Sequence, residues 1–255
     1  MFKLKNVIMN RDGRDILAID HLHIDSHEFT VILGHNGSGK STLAQVLAGQ
    51  LKPDSGKVEF SEQTMSSLST KLLAQNIAFL PQRLPEVAGL TVKELVRLGR
   101  FAWRGTFGRY NQQDTDIIQT AMQQTDIVQF SDHIADSLSG GERQRAWIAM
   151  LLAQQSKVLI LDEPTSALDV GHQYDLLSLL QSLNKDTGQG VIVILHDINL
   201  ALRFATRVVA LKQGKVSFSG DHSKLLDSER LSALYGTDIK LIAHPSRDEK
   251  VAVVC

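Results

Sequence analysis

Phe29-Thr30-Val31-Ile32-Leu33-Gly34-His35-Asn36-Gly37-Ser38-Gly39-Lys40-Ser41-Thr42-Leu43-Ala44 is the stretch on which the fold turns. Its first five residues read as a buried strand, and Gly34 to Ser41 fit the pattern G-x-x-x-x-G-K-[ST]. From Ser41 to Ala48 apolar residues recur at helical spacing, and Gly49 stops the helix. Strand, glycine loop and helix in that order form the context in which this pattern grips phosphate. The glycines let backbone N–H groups curl around phosphate oxygens, and the helix start adds the positive end of its dipole. Gly34, His35, Asn36, Gly37, Ser38, Gly39, Lys40, Ser41 and Thr42 are therefore the candidate residues for gripping a nucleotide's phosphates. Lys40 is expected to reach the β- and γ-phosphates and the Ser41 hydroxyl to hold Mg²⁺. His35 fills a variable position of the pattern.

Around this stretch the chain has an ordinary globular balance, 43% hydrophobic and 22% charged, which argues against a disordered polypeptide. Its 27 basic and 28 acidic residues leave a net charge of -1, without any basic run, so a nucleic-acid partner is not expected. The one cysteine is Cys255, which fits a reducing compartment, and the thiol is expected at a frayed end. Met1 to Asn6 lacks the apolar core of a secretory signal, and no apolar run approaches the ~20 residues that span a bilayer. A soluble or peripheral protein is expected, with any membrane path supplied by other chains.

Residues 2 to 33 read as short strands, with Asp12-Gly13 as a hairpin turn. From about Arg83 to Gln155 helical patterns dominate, as in Val92 to Leu98 and Asp116 to Met122, and strand signals nearly vanish. This is read as a helical insertion into an α/β core. The core resumes with Val158 to Leu161, a helix over Tyr174 to Leu183, and Val191 to Leu195. Continuous apolar strands alternating with helices indicate a parallel sheet covered on both faces. Val208 to Leu211 and Lys215 to Phe218 read as an antiparallel hairpin around Gln213-Gly214. The tail after about Asp221 is expected to be helical, then irregular past His244.

Two further segments carry chemistry. Val158-Leu159-Ile160-Leu161-Asp162-Glu163 is a buried strand ending in two acids. Asp162 is placed to serve the Mg²⁺ shell, and Glu163 is the candidate general base for the attacking water. Leu138-Ser139-Gly140-Gly141-Glu142-Arg143-Gln144 opens a helix whose first N–H groups make an anion site. Ser139 with Glu142 also fits a plain capping box.

With these motifs in this order the chain resembles the ATP-binding subunits of ABC transporters, over roughly residues 2 to 242. The resemblance implies a P-loop NTPase (RecA-like) core with a mostly parallel sheet, an N-terminal antiparallel β subdomain and an inserted α-helical subdomain. It implies one ATPase domain over residues 1–242, with the core at about 1–82 and 156–220, the helical subdomain at about 83–155, and a tail over 221–255. It makes Ser139, Gly140, Gly141 and Gln144 signature residues that contact ATP held by a second copy. Gln82 is implied to touch Mg²⁺ and the attacking water, Asp169 to lie in the D-loop that crosses the dimer interface, and His196 to meet the γ-phosphate. The expected cofactors are ATP and Mg²⁺, the latter held by Ser41, Gln82 and Asp162. The expected partners are a second copy, an integral membrane permease and, indirectly, a periplasmic or lipoprotein substrate-binding protein. The expected location is the cytoplasmic side of the cell membrane.

The strings Arg83 to Val92 and Leu98 to Trp103 are similar to those of importers of ferric siderophores, haem and cobalamin, and Asp136 to Leu151 with His196-Asp197-Ile198-Asn199 most resemble the ferric hydroxamate (ferrichrome-type) importer ATPases. Haem or cobalamin import, or a non-transport ABC ATPase, is the alternative. One departure stands out. The family places an aromatic residue in the first hairpin to stack on adenine, and here that position is read as Met9, either an adenine contact or a core residue.

Overall fold

The computed structural model describes residues 1–105 and 108–255. The chain enters as a long hairpin, β1 (Phe2–Arg11) and β2 (Arg14–Ile24), turned by Asp12 and Gly13 with φ of 52° and 76°. The expectation of short strands is corrected here. Register shifts next to Met9/Asn10 and between Lys5 and Ile8 interrupt the period-two pattern, so two long strands look broken in sequence. Strands β4 (Ser55–Phe60) and β5 (Gln63–Thr64) complete this antiparallel sheet in the order β2-β1-β4-β5.

The second sheet carries the strand ends at which the candidate site lies. Its strands are β3 (Phe29–Leu33), β6 (Ile77–Leu80), β7 (Val158–Asp162), β8 (Gly190–Ile194), β9 (Arg207–Lys212) and β10 (Lys215–Asp221). They lie in the order β10-β9-β3-β8-β7-β6, parallel throughout except for β10 at the edge. Successive residues of β7 bury opposite ways: Leu159 and Leu161 join one core, Val158 and Ile160 the other. That double burial is why β3, β7 and β8 read as unbroken apolar runs. Each such aliphatic side chain is worth about 1.5–3 kcal/mol of burial, before chain entropy is charged against it. The Val158 side packs on the N-terminal sheet and on Leu43, Ala44 and Leu47 of α1 (Lys40–Leu47).

A short helix α2 (Thr70–Asn76) leads into β6. Between β6 and β7 lie α3 (Val92–Leu98), α4 (Phe101–Arg104), α5 (Gln112–Gln124) and α6 (Gly140–Gln154), with no strand among the described residues. Capping boxes at Thr91, Asn111 and Ser139 start three of them. Asp114, wholly buried, accepts from Arg100 Nε at 3.0 Å and Arg104 Nε at 2.7 Å. Arg100 then donates to Ala153 O at 2.9 Å, tying α5 to the end of α6. Gly99 permits the α3–α6 crossing, since a Cβ there would lie 2.2 Å from Met150 O.

Helices α7 (Val170–Thr187) and α8 (Ile198–Phe204) cover the other face, and α9 (Ser228–Tyr235) follows β10. The expectation of an irregular end past His244 is wrong. Strands β11 (Ile239–Ala243) and β12 (Lys250–Val254) pair as an antiparallel hairpin, which a domain boundary at 242 would cut. The charged connection His244 to Glu249 masks two short strand signals, Ile239 to Ala243 and Val251 to Val254. Nor is Cys255 frayed: although its side chain is exposed, its N–H donates to Asp238 O at 3.0 Å.

Candidate functional site

At the carboxyl ends of β3, β7 and β8 a cleft of about 370 Å³ opens between Ile16, Asn36, Gly37, Gly39, Lys40, Ser41, Thr42, Gln82, Glu163 and His196. A larger cleft, about 720 Å³, lies at the opposite ends of the strands, beside His27, Lys157 and Gly188. Size misleads here, because open parallel sheets bind ligands beyond their carboxyl ends.

The loop from Gly34 to Gly39 needs its glycines. Gly34 has φ 146° and a Cβ would sit 2.2 Å from Leu211 O; Gly39 has φ 97° and a Cβ would sit 2.8 Å from Ile16 O. Lys40 is buried, and its Nζ donates to Gly34 O and His35 O, both at 2.9 Å. Burial lowers the Lys40 pKa, against the raising effect of Glu163 and Asp162. The Ser38 hydroxyl is buried without a hydrogen-bond partner. An orphaned hydroxyl, a buried cation and a helix N-terminus around one loop suit a phosphate chain.

β7 delivers the two acids in different directions. Asp162, 3% exposed, accepts the Ser41 hydroxyl proton at 3.1 Å. Burial raises its pKa, and the Ser41 hydrogen bond opposes the rise. Glu163 takes φ 52°, a left-handed conformation uncommon for a residue with a side chain, and this turns its carboxylate into the cleft. Gln82 Nε2 donates to Glu163 Oε2 at 2.5 Å, while His196 Nε2 lies 2.6 Å from Oε1. The expected residues Ser41, Gln82, Asp162, Glu163 and His196 thus converge from four separate segments. Among the described residues no three His, Cys, Asp or Glu side chains form a metal cage. Ser41, Gln82 and Asp162 fit the sparse oxygen donor set that Mg²⁺ takes when phosphates and water complete its octahedron.

Ser139, Gly140 and Gly141 stand elsewhere and do not line the cleft. Ser139 caps α6: its hydroxyl accepts from Glu142 N at 3.4 Å, and Glu142 Oε2 accepts from Ser139 N at 2.9 Å. The capping box expected from Ser139 and Glu142 is therefore real, and the turn is also exposed. Beside it is the segment expected to form the D-loop, where Leu168 Cδ2 lies 3.4 Å from the position of a Cβ on Gly141. Asp169 caps α7, accepting at 3.0 Å from His172 N and lying 2.9 Å from His172 Nδ1.

Two expected contacts are not presented. Gln144, 6% exposed, faces inward from α6, because the fourth residue after Gly140 has turned onto the buried side of the helix. Met9 packs, half-buried, against the core of the N-terminal sheet. The wall near it belongs to Ile16, which the sequence analysis missed. Asn10 pairs with Asp15 and Met9 with Leu17, so Ile16 is the extra residue of a bulge that aims it at the cleft. The only sequence signal for it was the apolar pair Ile16-Leu17 just past the turn.

Comparison with known proteins fits this geometry. The model of the ABC transporter family matches residues 17–166. The chain is 36% identical over 233 residues to the iron(3+)-hydroxamate import ATP-binding protein FhuC of Bacillus subtilis, covering 91% of this chain and 87% of that one. It is 40% identical over 221 residues to the ferric enterobactin transport ATP-binding protein FepC of Escherichia coli, covering 87% and 81%. The dimeric structure of the bacterial ABC transporter cassette MJ0796 superposes with a TM-score of 0.78 at 32% identity, covering 87% of this chain and 99% of that one.

Proposed function

Because the chain belongs to the ABC transporter family and is an ATP-binding ATPase of that family, we propose that it energises import of a ferric siderophore, of the hydroxamate type, as a homodimer on a membrane permease. One observation carries the two-copy reading. Within a single chain the phosphate cleft lacks the exposed Ser139–Gly141 turn, so each site is completed by the turn of a second copy. The MJ0796 cassette, a dimer in its own structure, supports that arrangement.

In this reading Lys40 and the loop N–H groups hold the β- and γ-phosphates. Mg²⁺, when bound with the nucleotide, neutralises developing charge on the phosphate oxygens, and Ser41, Asp162 and Gln82 are its protein-side holders. Glu163 is held on both oxygens by Gln82 and His196. Nucleotide draws those two side chains towards itself, and Glu163 then orients water and takes its proton. His196, released from Glu163, turns to the γ-phosphate. Ser139, Gly140 and Gly141 of a second copy close over the same phosphate through the N–H groups at the start of α6. ATP therefore binds the closed pair better than the open one, and that difference drives the cycle.

Among the described residues no helix is long and apolar enough to cross a membrane. Leu98, Phe101 and Trp103 expose 46%, 54% and 39% of their surface beyond the Gln82 segment, an apolar ledge suited to a permease helix at the cytoplasmic face. The cargo rests on the hydroxamate and enterobactin relatives. A deletion strain carrying the wild-type gene should take up radiolabelled ferric hydroxamate, and one carrying Glu163→Gln should not. The purified variant should form an ATP-dependent dimer that hydrolyses at least ~100-fold more slowly. Near-normal turnover removes Glu163 from the base role; normal hydrolysis by the wild type without uptake removes the cargo.

A further inference from the structure

Residues 222–255 lie wholly outside the matched family segment, yet they meet the phosphate loop once and the helix after His196 once. The first contact is Tyr235, the last residue of α9. Its ring meets the imidazole of His35, in the phosphate loop, edge-on at 5.4 Å. Its hydroxyl is buried facing the Gly34 N–H, but the geometry is too poor for a formed hydrogen bond. Burial pushes its pKa up to about 12, against the Gly34 N–H, with the Asp197 carboxylate adding to the rise.

The second contact is Asn199. Its Nδ2 donates to Ala252 O at 3.3 Å and its Oδ1 accepts from Ala252 N at 2.7 Å, so one side chain pairs with β12 as a neighbouring strand would. Asn199 lies in the first turn of α8, whose N-cap is Asp197, the residue after His196. β12 is therefore joined to the helix that begins two residues after His196.

Both contacts belong to one unit. The Ser232 hydroxyl accepts from Ile239 N at 2.9 Å, the Ser228 hydroxyl accepts from Leu241 N at 3.1 Å, and Leu231, Leu234 and Ile239 are buried in the main core. Lys212 Nζ donates to Ala233 O at 2.5 Å, tying the last turn of α9 to β9.

We infer that the C-terminal unit sets the distance between the phosphate loop and His196, with Tyr235 and Asn199 as its positioning residues. The inference rests on the reading that Lys40 and His196 meet the same γ-phosphate. A tail that merely covers apolar surface would affect folding alone. A spacer affects the ligand that touches both loops, ATP, and spares ADP, which touches the phosphate loop only.

The test measures binding of MgADP and of a non-hydrolysable MgATP analogue to the full chain, together with melting temperature. Asn199→Leu should weaken the analogue roughly 5- to 10-fold and leave ADP within about twofold, as expected when a contact group is misplaced, and Tyr235→Leu, whose ring meets the loop itself, should weaken the analogue more than ADP. Tyr235→Phe keeps the ring on His35, so it should retain the wild-type ratio of affinities and melt no lower, because the lost hydroxyl made no hydrogen bond. Equal weakening of both nucleotides, or a lower melting temperature with an unchanged ratio, overturns the inference. The His196→Ala chain separates the two readings. If its ratio shifts and those of the leucine variants do not, the spacer alone fails; if its ratio is unchanged, the assignment of His196 fails and takes the spacer with it.

Discussion

Two glycine turns at helix N-termini, Gly34–Gly39 before α1 and Ser139–Gly141 at α6, differ in how far one chain satisfies them. At the first, Lys40 is held by two carbonyls, Ser41 by Asp162, and Glu163 by Gln82 and His196. At the second the capping box answers only Ser139 and Glu142, and the turn is left open to solvent. In the proposed cycle the ligand of the first displaces contacts already made, so binding there is an exchange, whereas the second offers a preformed turn to an anion from outside. An exchange can signal arrival, because Gln82 and His196 have to move; a preformed turn can only be reached or missed.

Replacing Gly141 with Asp should separate the two turns most sharply. A Cβ fits at 3.4 Å from Leu168, and an acidic residue in a first helical turn is stabilising, so the fold should hold. Hydrolysis should fall by roughly 100-fold or more through repulsion of the phosphate, as for a lost transition-state donor. ADP binding to the single chain should be unchanged in a titration, and weakened ADP binding would mean that the turns are not independent. Next in size, Lys40→Ala should cost roughly 10- to 100-fold in nucleotide affinity, the range of one or two charge-assisted hydrogen bonds. Isothermal titration checks it, and unchanged affinity would break the exchange picture.

Smallest for chemistry is Asp114→Ala, far from both turns. It strands two arginines and should destabilise the fold by about 3 kcal/mol in urea unfolding while leaving ADP affinity alone. Burial would raise the Asp114 pKa, but the hydrogen bonds from Asn111, Arg104 and Arg100 outweigh it and hold the carboxyl below its ordinary value. The folded chain therefore binds this proton less readily than the unfolded one. The Asp114 contribution is complete above the unfolded carboxylate pKa and is lost as pH falls through the depressed one. An acid-unfolding midpoint that is the same in wild type and variant would contradict this assignment.

Much of the framework of the candidate site was legible in the sequence. β3 falls on Phe29–Leu33 and α3 on Val92–Leu98 because burial on both faces of a sheet, and helical spacing of apolar residues, are local signals. Ser41, Asp162, Glu163, Gln82 and His196 were readable as a set through the order of the motifs. Their clamp was not: it joins residues 82, 163 and 196 across three strand ends and depends on the left-handed turn at Glu163. Ile16 was hidden by a bulge, which shifts faces without changing composition. Gln144 belongs to a motif, but helix phase buries it, and phase rather than motif decides what a helix shows to a neighbour. The tail hairpin escaped because its strands are short and its connection is charged.

Cys255 ends a strand held by its neighbour, and it is the one thiol in the chain. A maleimide dye would therefore attach at a single, defined point without any residue being engineered in or out. In a homodimer that gives one dye per copy, on the hairpin that Asn199 anchors to α8. Energy transfer between a donor-labelled and an acceptor-labelled copy would then report opening and closing of the pair in real time, in the unmutated protein.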